Sequence, residues 1–469
     1  MDVLPRRDAL KRVAGIALAP ALPVAPALAQ VAPAAEARRA RRPLFGASEW
    51  QLGNGLRVVL AENRRAPVAA HFLYASAGGG EDPEGRAGTA HFLEHMMFKG
   101  GPNIPTGAFS RTVAQEGGQD NAFTSRDLTA YFQNVEASRL PLMMRMESDR
   151  LGAALLPPGE VEPERGVILE ERRQVVESIP RRLFSEAFDA AMWGPQHWRG
   201  RSLIGPASEI RAITIDDLRG FHARHYDPAN CVLVVAGDVR EADLRRWADE
   251  FYGPIPSRRG AQPAIFQPDR GRAAPPEAAA QARLEERSRV VREAFFLRGV
   301  VAPSATWGET AMTDALDVLA HILGGGPGSR LHVALVEAGI AVSASADADT
   351  DSVGAGAFGL FGQPRAGVTP ARFEAAIDAE VARLLDRGIT DAELARSIRQ
   401  MTAGALLALD SLGAAPRMIG GALAIGLPLS DVEHWPERIA AVTRAQVERA
   451  AREVLGTRRL ETTGWLLPA

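Results

Sequence analysis

The stretch AGTAHFLEHMMFKG, residues 87–100, combines an amphipathic pattern with three side chains that can serve a metal site. Its apolar residues recur at helical spacing, which predicts a half-buried helix over residues 88–98. His91 and His95 are four residues apart and lie on one helix face, so both imidazoles can reach one ion, and Glu94 lies beside them. The segment predicts a metal-binding helix, with two buried histidines satisfied by hydrogen bonds as the alternative.

A catalytic zinc site uses three protein ligands and keeps the fourth position for water. We expect the third ligand in the helical segment ERGVILEERR, residues 164–173. Glu164 and Glu171 are seven residues apart and share one helix face, whereas Glu170 points about 100° away from Glu171. We therefore predict that Glu171 completes the ligands of one zinc ion per chain and that Glu164 supports the site from behind.

Strand-like and helix-like segments alternate around these two helices, which predicts an α+β domain. The strand-like runs are rich in β-branched and aromatic residues, and the helix-like runs repeat apolar residues every three or four positions. The single cysteine, Cys231, begins one apolar run, where a buried structural residue is expected. The strand-like runs are residues 56–62, 68–77, 128–136 and 231–239, and the helix-like runs are residues 140–151 and 161–177.

The second half of the chain repeats this pattern in outline. The apolar run 294–303 corresponds to 68–77, and the helix-like run 315–326 corresponds to the histidine-bearing helix. Two similar domains are therefore expected, joined by a linker rich in Pro, Ala, Gln and Arg. The expected boundaries are 46–256 for the N-terminal metal-binding domain, 257–284 for the linker and 285–469 for the similar C-terminal domain.

The N-terminus has the features of an export signal over residues 1–29. Basic residues, including Arg6 and Arg7, precede a mild apolar stretch over 13–28 that ends in small residues. The arrangement is typical of a twin-arginine signal and predicts a periplasmic protein, with an arginine-rich mitochondrial presequence as the alternative. Residues 30–45 are expected to form a flexible leader. Since no later run reaches about 18 uncharged apolar residues, no membrane span is expected.

The composition is that of an ordinary globular protein of two or three domains. Of the 469 residues, 46% are hydrophobic and 24% are charged, and the formal net charge is −3. This profile argues against a disordered chain, and the lack of a basic excess argues against a nucleic-acid partner. One cysteine excludes an intramolecular disulfide, so the fold must depend on burial of apolar surface.

Together these segments resemble the pitrilysin-type inverted-motif (HxxEH) zinc proteases, and most closely the processing-peptidase branch with two-domain subunits. The resemblance runs from about Trp50 to the C-terminus. It implies that the two histidines and Glu171 bind zinc, that Glu94 is the general base and that Glu164 supports the site. It also implies that each half is a mainly antiparallel sheet with helices packed on one face. The motifs that carry it are LGNGLRVVLAE at 52–62, AGTAHFLEHMMFKG at 87–100, NAFTSRDLTAYF at 121–132, ERGVILEERR at 164–173 and GGGPGSRLHVALVEAG at 324–339.

The resemblance also indicates where a substrate binds. Residues 121–127 are similar to an edge strand of the family on which an extended peptide adds to the sheet. Asn121, Ala122 and Phe123 are the expected contacts, with core packing as the alternative for Phe123. The glycine run 324–328 is expected to form a flexible loop facing the substrate, because no Lys-Ser or Lys-Thr pair follows it as in a phosphate loop.

The resemblance further implies paired subunits that enclose a chamber for unfolded peptides. In the family, an arginine and a tyrosine of the second domain hold the substrate near zinc. The matching positions here are Val336 and Val342, which cannot donate hydrogen bonds. We therefore expect a heterodimer in which a related subunit supplies the Arg and Tyr pair, and the alternative is a homodimer that uses other residues such as Arg330.

The sequence thus predicts a zinc metalloendopeptidase that acts on unfolded peptides or small proteins. Two other classes of function remain open, a non-catalytic assembly subunit of the same fold and a peptide-binding chaperone with a vestigial metal site. Inactive relatives usually lack motif residues that this chain retains. A second histidine pair, His222 and His225, is three residues apart without a carboxylate placed to assist it and is more typical of a surface helix.

Overall fold

The computed structural model describes residues 43–258, 282–456 and 461–469, and residues 43–469 form one compact unit. The predicted export signal, the leader up to residue 42 and the linker between 259 and 281 lie outside the described residues. Leu44 and Phe45, which were assigned to the leader, already belong to the folded unit. Leu44 is buried, and the backbone N–H groups of both residues donate to Glu433.

The N-terminal half contains a six-stranded sheet. Its strands are β1 (Ser48–Gln51), β2 (Arg57–Glu62), β3 (Val68–Ala75), β4 (Gln119–Thr124), β5 (Thr129–Glu136) and β6 (Cys231–Gly237). The strand order is β1-β2-β6-β3-β5-β4, and every neighbouring pair is antiparallel except β2 with β6. All residues of the apolar strand β6, including Cys231, are buried, whereas β4 forms an edge of the sheet.

Within the described residues, the C-terminal half repeats this sheet without a strand that corresponds to β1. Its strands are β7 (Ala282–Ser288), β8 (Phe295–Ala302), β9 (Ala341–Asp349), β10 (Gly356–Pro364) and β11 (Glu461–Pro468). The order is β7-β11-β8-β10-β9, and only β7 and β11 are parallel neighbours. Strand for strand this is the order β2-β6-β3-β5-β4 of the first sheet. The predicted α+β class with two similar, mainly antiparallel halves is confirmed.

The helices of each half pack mainly on one face of their own sheet. In the first half, five helices share a core with that sheet, namely Thr89–Met96, Leu140–Ala153, Pro158–Arg172, Ile215–His225 and Glu241–Phe251. In the second half, four helices do the same, namely Thr313–Gly324, Pro370–Arg387, Trp435–Ala441 and Arg444–Leu455. Across the described ranges, every helix is too short or too polar to span a membrane. The helices are α1 (Thr89–Met96), α2 (Ala108–Gln115), α3 (Leu140–Ala153), α4 (Pro158–Arg172), α5 (Pro180–Trp193), α6 (Ala207–Ala212), α7 (Ile215–His225), α8 (Glu241–Phe251), α9 (Thr313–Gly324), α10 (Pro370–Arg387), α11 (Asp391–Ala408), α12 (Ala414–Ala424), α13 (Leu429–Glu433), α14 (Trp435–Ala441) and α15 (Arg444–Leu455).

The two halves exchange one helix each, which covers the second face of both sheets. Helix α5 of the first half packs Phe184 and Phe188 against the second sheet. Helix α12 of the second half packs Ile419 and Leu423 against the first sheet. Burial of an apolar side chain of this size contributes about 1.5–3 kcal/mol to the stability of the fold. The exchanged helices therefore stabilise the association of the two halves through apolar contacts.

Helix α12 approaches the first sheet closely at a glycine, and this contact gives a testable prediction. A Cβ atom on Gly420 would lie 2.0 Å from Cε2 of the buried Tyr74 ring, whose hydroxyl donates to the Pro416 carbonyl oxygen. We therefore expect Gly420→Ala to lower the free energy of unfolding by about 1–3 kcal/mol, measured in urea.

The neighbouring residue provides a matched control for this prediction. A Cβ atom on Gly421 meets no atom within 4 Å, so Gly421→Ala should raise the stability by up to about 1 kcal/mol through helix propensity alone. Equal stability of the two variants would show that α12 does not pack on Tyr74 as described.

Candidate metal centre

Helices α1 and α4 bring the three predicted metal ligands together. The ring centroids of His91 and His95 are 4.7 Å apart, and Glu171 Oε2 lies 3.8 Å from His91 Nε2 and 3.4 Å from His95 Nε2. Within the described residues, this is the one group of three His, Cys, Asp or Glu side chains whose ligand atoms lie within 4.8 Å of one another. Two imidazoles and one carboxylate are a donor set that suits zinc, so these residues fit the metal that the motif implies.

The two imidazoles have opposite electrostatic environments. Burial and the neighbouring His95 lower the pKa of His91 to about 4, so His91 is neutral and has a lone pair available. Burial alone would lower the pKa of His95, but its hydrogen bonds to Glu164 and Glu171 outweigh burial and raise the pKa to about 9. A metal ion that binds here must therefore displace a proton from His95.

Glu164 lies where the sequence predicts it, behind His95. Its Oε1 atom is 2.7 Å from His95 Nδ1, and its other carboxylate oxygen contacts the Lys99 ammonium. Burial would raise the pKa of Glu164, but the hydrogen bonds to His95 and Lys99 lower it, so the carboxylate is ionised. Lys99 was not predicted as part of the site, although its position four residues after His95 places it one turn further along.

Glu94 is buried beside the candidate metal ligands and is connected to the edge strand β4. Thr124, the last residue of β4, donates a hydrogen bond from Oγ1 to Glu94 Oε2 at 2.7 Å. The contact fixes one oxygen of the carboxylate that is predicted as the general base. It also places the end of the candidate substrate strand next to the helix that carries the ligands.

The three substrate contacts predicted within residues 121–127 lie on β4, but their side chains point to different faces. Ala122 belongs to the core shared with α1. The Phe123 ring packs on the opposite face, 6.4 Å from the rings of both Tyr74 and Phe132. The half-buried Phe123 side chain therefore packs on the core as the alternative predicts, and its backbone lies on the edge strand, where the substrate contact is predicted. Asn121 is half-buried on the same strand.

The structure does not support Arg330 as a substrate-binding residue. Its guanidinium donates to both carboxylate oxygens of Glu393, at 2.7 and 3.0 Å, and to the Gly388 carbonyl oxygen at 2.8 Å. These contacts hold Arg330 within the C-terminal half. Val342 is 55% exposed on β9, and Val336 packs partly against the C-terminal core.

Two further expectations need correction. Residues 324–328 were expected to form a flexible loop, but the run starts in a packed position. Gly324 ends α9, and a Cβ atom there would lie 1.9 Å from the Ala346 backbone nitrogen. Only Gly326 and Gly328 have positive φ angles and open space around them. His222 lies on the buried face of α7 and stacks on a tyrosine ring, so it is not exposed on that helix, whose opposite face carries exposed residues.

A close backbone contact connects the segments next to the two helices that carry the candidate ligands. Gly88 and Gly205 both have positive φ, and a Cβ atom on Gly205 would lie 2.0 Å from the Ala87 carbonyl oxygen. Arg172, which follows Glu171 in α4, donates to the Gly205 carbonyl oxygen at 2.7 Å. The segment around Gly205 therefore connects the start of α1 to the end of α4. Neither glycine was predicted as part of the site.

Comparison with known proteins agrees with the motifs. Residues 57–207 match the family described as "Insulinase (Peptidase family M16)", and residues 212–401 match the "Peptidase M16 inactive domain". An uncharacterized zinc protease of Streptomyces coelicolor is 30% identical over 416 residues, which cover 87% of each chain. The beta subunit of the mitochondrial-processing peptidase of Lentinula edodes is 32% identical over 205 residues, which cover 44% of each chain.

The fold is also found in a solved structure. The crystal structure of a protease from Helicobacter pylori has a TM-score of 0.79 at 24% identity, covering 90% of this chain and 99% of the other. This likeness concerns the fold, whereas the sequence relatives concern the family. The chain therefore belongs to peptidase family M16, among relatives that are named as zinc proteases.

Proposed function

We propose that this protein is a zinc-dependent endopeptidase that hydrolyses unfolded peptides or small proteins in a closed chamber. The observation that carries the proposal is the convergence of His91, His95 and Glu171, whose ligand atoms lie within 4.8 Å of one another. Glu94 lies beside them, on the helix that carries the two histidines. These three residues would hold the zinc ion. When bound, zinc supplies a Lewis acid that lowers the pKa of a water molecule to about 7.

The surrounding side chains have separate tasks in this proposal. Glu94 takes a proton from the attacking water and returns it to the leaving amine. The hydrogen bond from Thr124 holds the Glu94 carboxylate in place. Glu164, held in turn by Lys99, orients the His95 ring through Nδ1 so that Nε2 faces Glu171.

The edge strand β4 explains why the substrate should be unfolded. A peptide can add to β4 as a further strand only if it is extended and has free backbone N–H and C=O groups. The backbone of Asn121, Ala122 and Phe123 would form these hydrogen bonds. Because Thr124 follows directly and contacts Glu94, a peptide paired along β4 is guided toward the general base.

Metal analysis combined with a cleavage assay tests the proposed activity. The purified mature chain should contain about one zinc per chain and should cleave peptides of an unfolded library, with its candidate partner present, while leaving folded proteins intact. Peptide binding without cleavage would instead favour the chaperone alternative. A chain that binds neither zinc nor peptide would favour the non-catalytic assembly subunit.

We further propose that full activity requires a partner subunit. Val336 and Val342 cannot stabilise developing negative charge on the substrate, and Arg330 is bound to Glu393. The relative named as a beta subunit of a processing peptidase supports a paired assembly. Adding a related subunit that carries an arginine and a tyrosine should raise the cleavage rate about 100-fold or more and saturate at equal amounts of the two chains. Full activity of a verified homodimer, unchanged by that subunit, would contradict this prediction.

We also propose export to the periplasm, with residues 1–29 removed as a twin-arginine-type signal. The mature chain would then comprise the leader, the N-terminal domain, the linker and the C-terminal domain, which begins with β7 at Ala282, three residues before the boundary expected from the sequence. N-terminal sequencing of protein from a periplasmic fraction should begin at Gln30. Intact protein in the cytoplasmic fraction would contradict the proposal.

A further inference from the structure

The two histidines of the candidate metal site are held in different ways. His95 has a carboxylate at Nδ1, because Glu164 Oε1 lies 2.7 Å away. His91 Nδ1 is buried and has no hydrogen-bond partner among the described residues. No side chain on Nδ1 therefore fixes the His91 ring. Its position depends on the first turn of α1, in which His91 is the third residue.

That first turn has no local cap. The residue before α1 is Gly88, with φ of 95°, and it provides no side chain to accept the free backbone N–H groups. A larger residue does not fit, because a Cβ atom on Gly88 would lie 2.4 Å from the Ile204 carbonyl oxygen. The close contact that joins α1 to the segment around Gly205 therefore excludes an ordinary capping side chain.

Asp82, six residues upstream of Gly88, takes over the capping. Its carboxylate is buried and accepts the Gly88 N–H at Oδ2, at 2.7 Å, and the Ala90 N–H at Oδ1, at 2.8 Å. Arg201 donates to the Asp82 carbonyl oxygen, which holds the backbone of this residue as well. Ala90 is the residue directly before His91, so the carboxylate fixes the peptide unit from which the His91 side chain extends.

We propose that Asp82 is a positioning residue for the metal site, which holds His91 at the distance from His95 and Glu171 that zinc requires. The proposal rests on the zinc-binding function proposed above. Asp82 acts on His91 through the helix backbone in the way that Glu164 acts on His95 through its ring. Loss of such a supporting contact typically weakens metal binding about 10- to 100-fold.

The test compares Asp82→Asn with the wild-type protein at pH 8. Burial raises the pKa of Asp82 to about 7, and the two backbone donors counteract this only in part, so the wild-type carboxylate is ionised at that pH. The amide keeps the size of the side chain but turns a donor toward one of the two N–H groups. We expect the dissociation constant for zinc, measured by competition with a chelator, to rise about 10- to 100-fold.

Glu433→Gln is the matched control. Glu433 is also buried and accepts backbone N–H groups, those of Phe45, Gly46 and Ala47, but it lies in α13 of the other half. Its substitution should lower the thermal unfolding temperature and leave zinc affinity unchanged. The visible absorption bands of the cobalt(II)-loaded protein should shift in the Asp82 variant and not in this control, because they report ligand geometry.

The outcomes separate this inference from the proposed function. If the wild-type protein binds no zinc, both are wrong. If it binds zinc and Asp82→Asn shows wild-type affinity and wild-type cobalt bands, the positioning role alone is wrong. Should Asp82→Asn fail to fold, Glu209→Gln tests the segment that leads into the same turn, because Glu209 accepts the Ala87 N–H at 2.7 Å. We expect an increase of about threefold to tenfold in the dissociation constant there, and wild-type affinity in that variant would also overturn the positioning role.

Discussion

The Glu94→Gln variant should bind zinc like the wild-type protein and hydrolyse peptides about 100- to 10,000-fold more slowly. The amide has the shape of the carboxylate and can still accept the hydrogen bond from Thr124 Oγ1, so the helix and the ligands should stay in place. It cannot take up the proton of the attacking water, and that proton transfer is the task assigned to Glu94. Zinc content by elemental analysis and initial rates on one unfolded peptide, with the partner subunit at saturation, measure both quantities.

The two readouts distinguish the possible roles of Glu94. Loss of activity with retained zinc supports proton transfer. Loss of zinc together with activity would make Glu94 part of the metal binding instead. A turnover close to that of the wild-type protein would remove Glu94 from the mechanism, even if the chain proves to be a zinc peptidase.

The sequence was sufficient to predict which side chains of the candidate metal site come together, because local spacing determines the geometry within each helix. His91 and His95 share a helix face at four residues, and Glu164 and Glu171 do so at seven, so each pair is fixed within one helix. The prediction that these two helices meet came from zinc chemistry and from the family resemblance. The structure adds the physical link, in which Arg172 binds the Gly205 carbonyl oxygen.

Contacts between distant segments could not be predicted in this way. An amphipathic pattern shows that a helix buries one face but does not identify the sheet against which it packs, so the exchange of α5 and α12 was not foreseen. The position of the Phe123 ring could not be predicted for the same reason, because the ring packs in a core to which α12 of the other half contributes. Asp82 was missed since a cap is ordinarily sought directly before the helix, although the glycine at that place indicates that the cap must come from elsewhere.

Substitution of Glu171 should weaken zinc binding more than substitution of a supporting residue does. The adjacent Glu170 offers a control, because it is the same residue type in the same helix turn but its side chain points away from the site. Glu171→Gln replaces a ligand by a neutral amide, so we expect the dissociation constant for zinc to rise about 100-fold or more, beyond the range for a supporting residue. Glu170 is adjacent in α4 and ionised, since hydrogen bonds from Arg173 and Gln174 lower its pKa to about 2. Glu170→Gln removes the same charge from the same helix turn.

The difference in zinc affinity between these two variants separates the effect of the helix face on which the carboxylate lies from the effect of its charge alone. If zinc affinity followed only the net charge near the site, the two substitutions would weaken it equally. Because Glu171 Oε2 lies 3.4 Å from His95 Nε2, while Glu170 is bound to Arg173 at the surface, we expect Glu170→Gln to leave the affinity within about twofold of wild type. A larger loss in Glu170→Gln than in Glu171→Gln, measured by chelator competition, would mean that the wrong carboxylate of this pair was assigned to the metal.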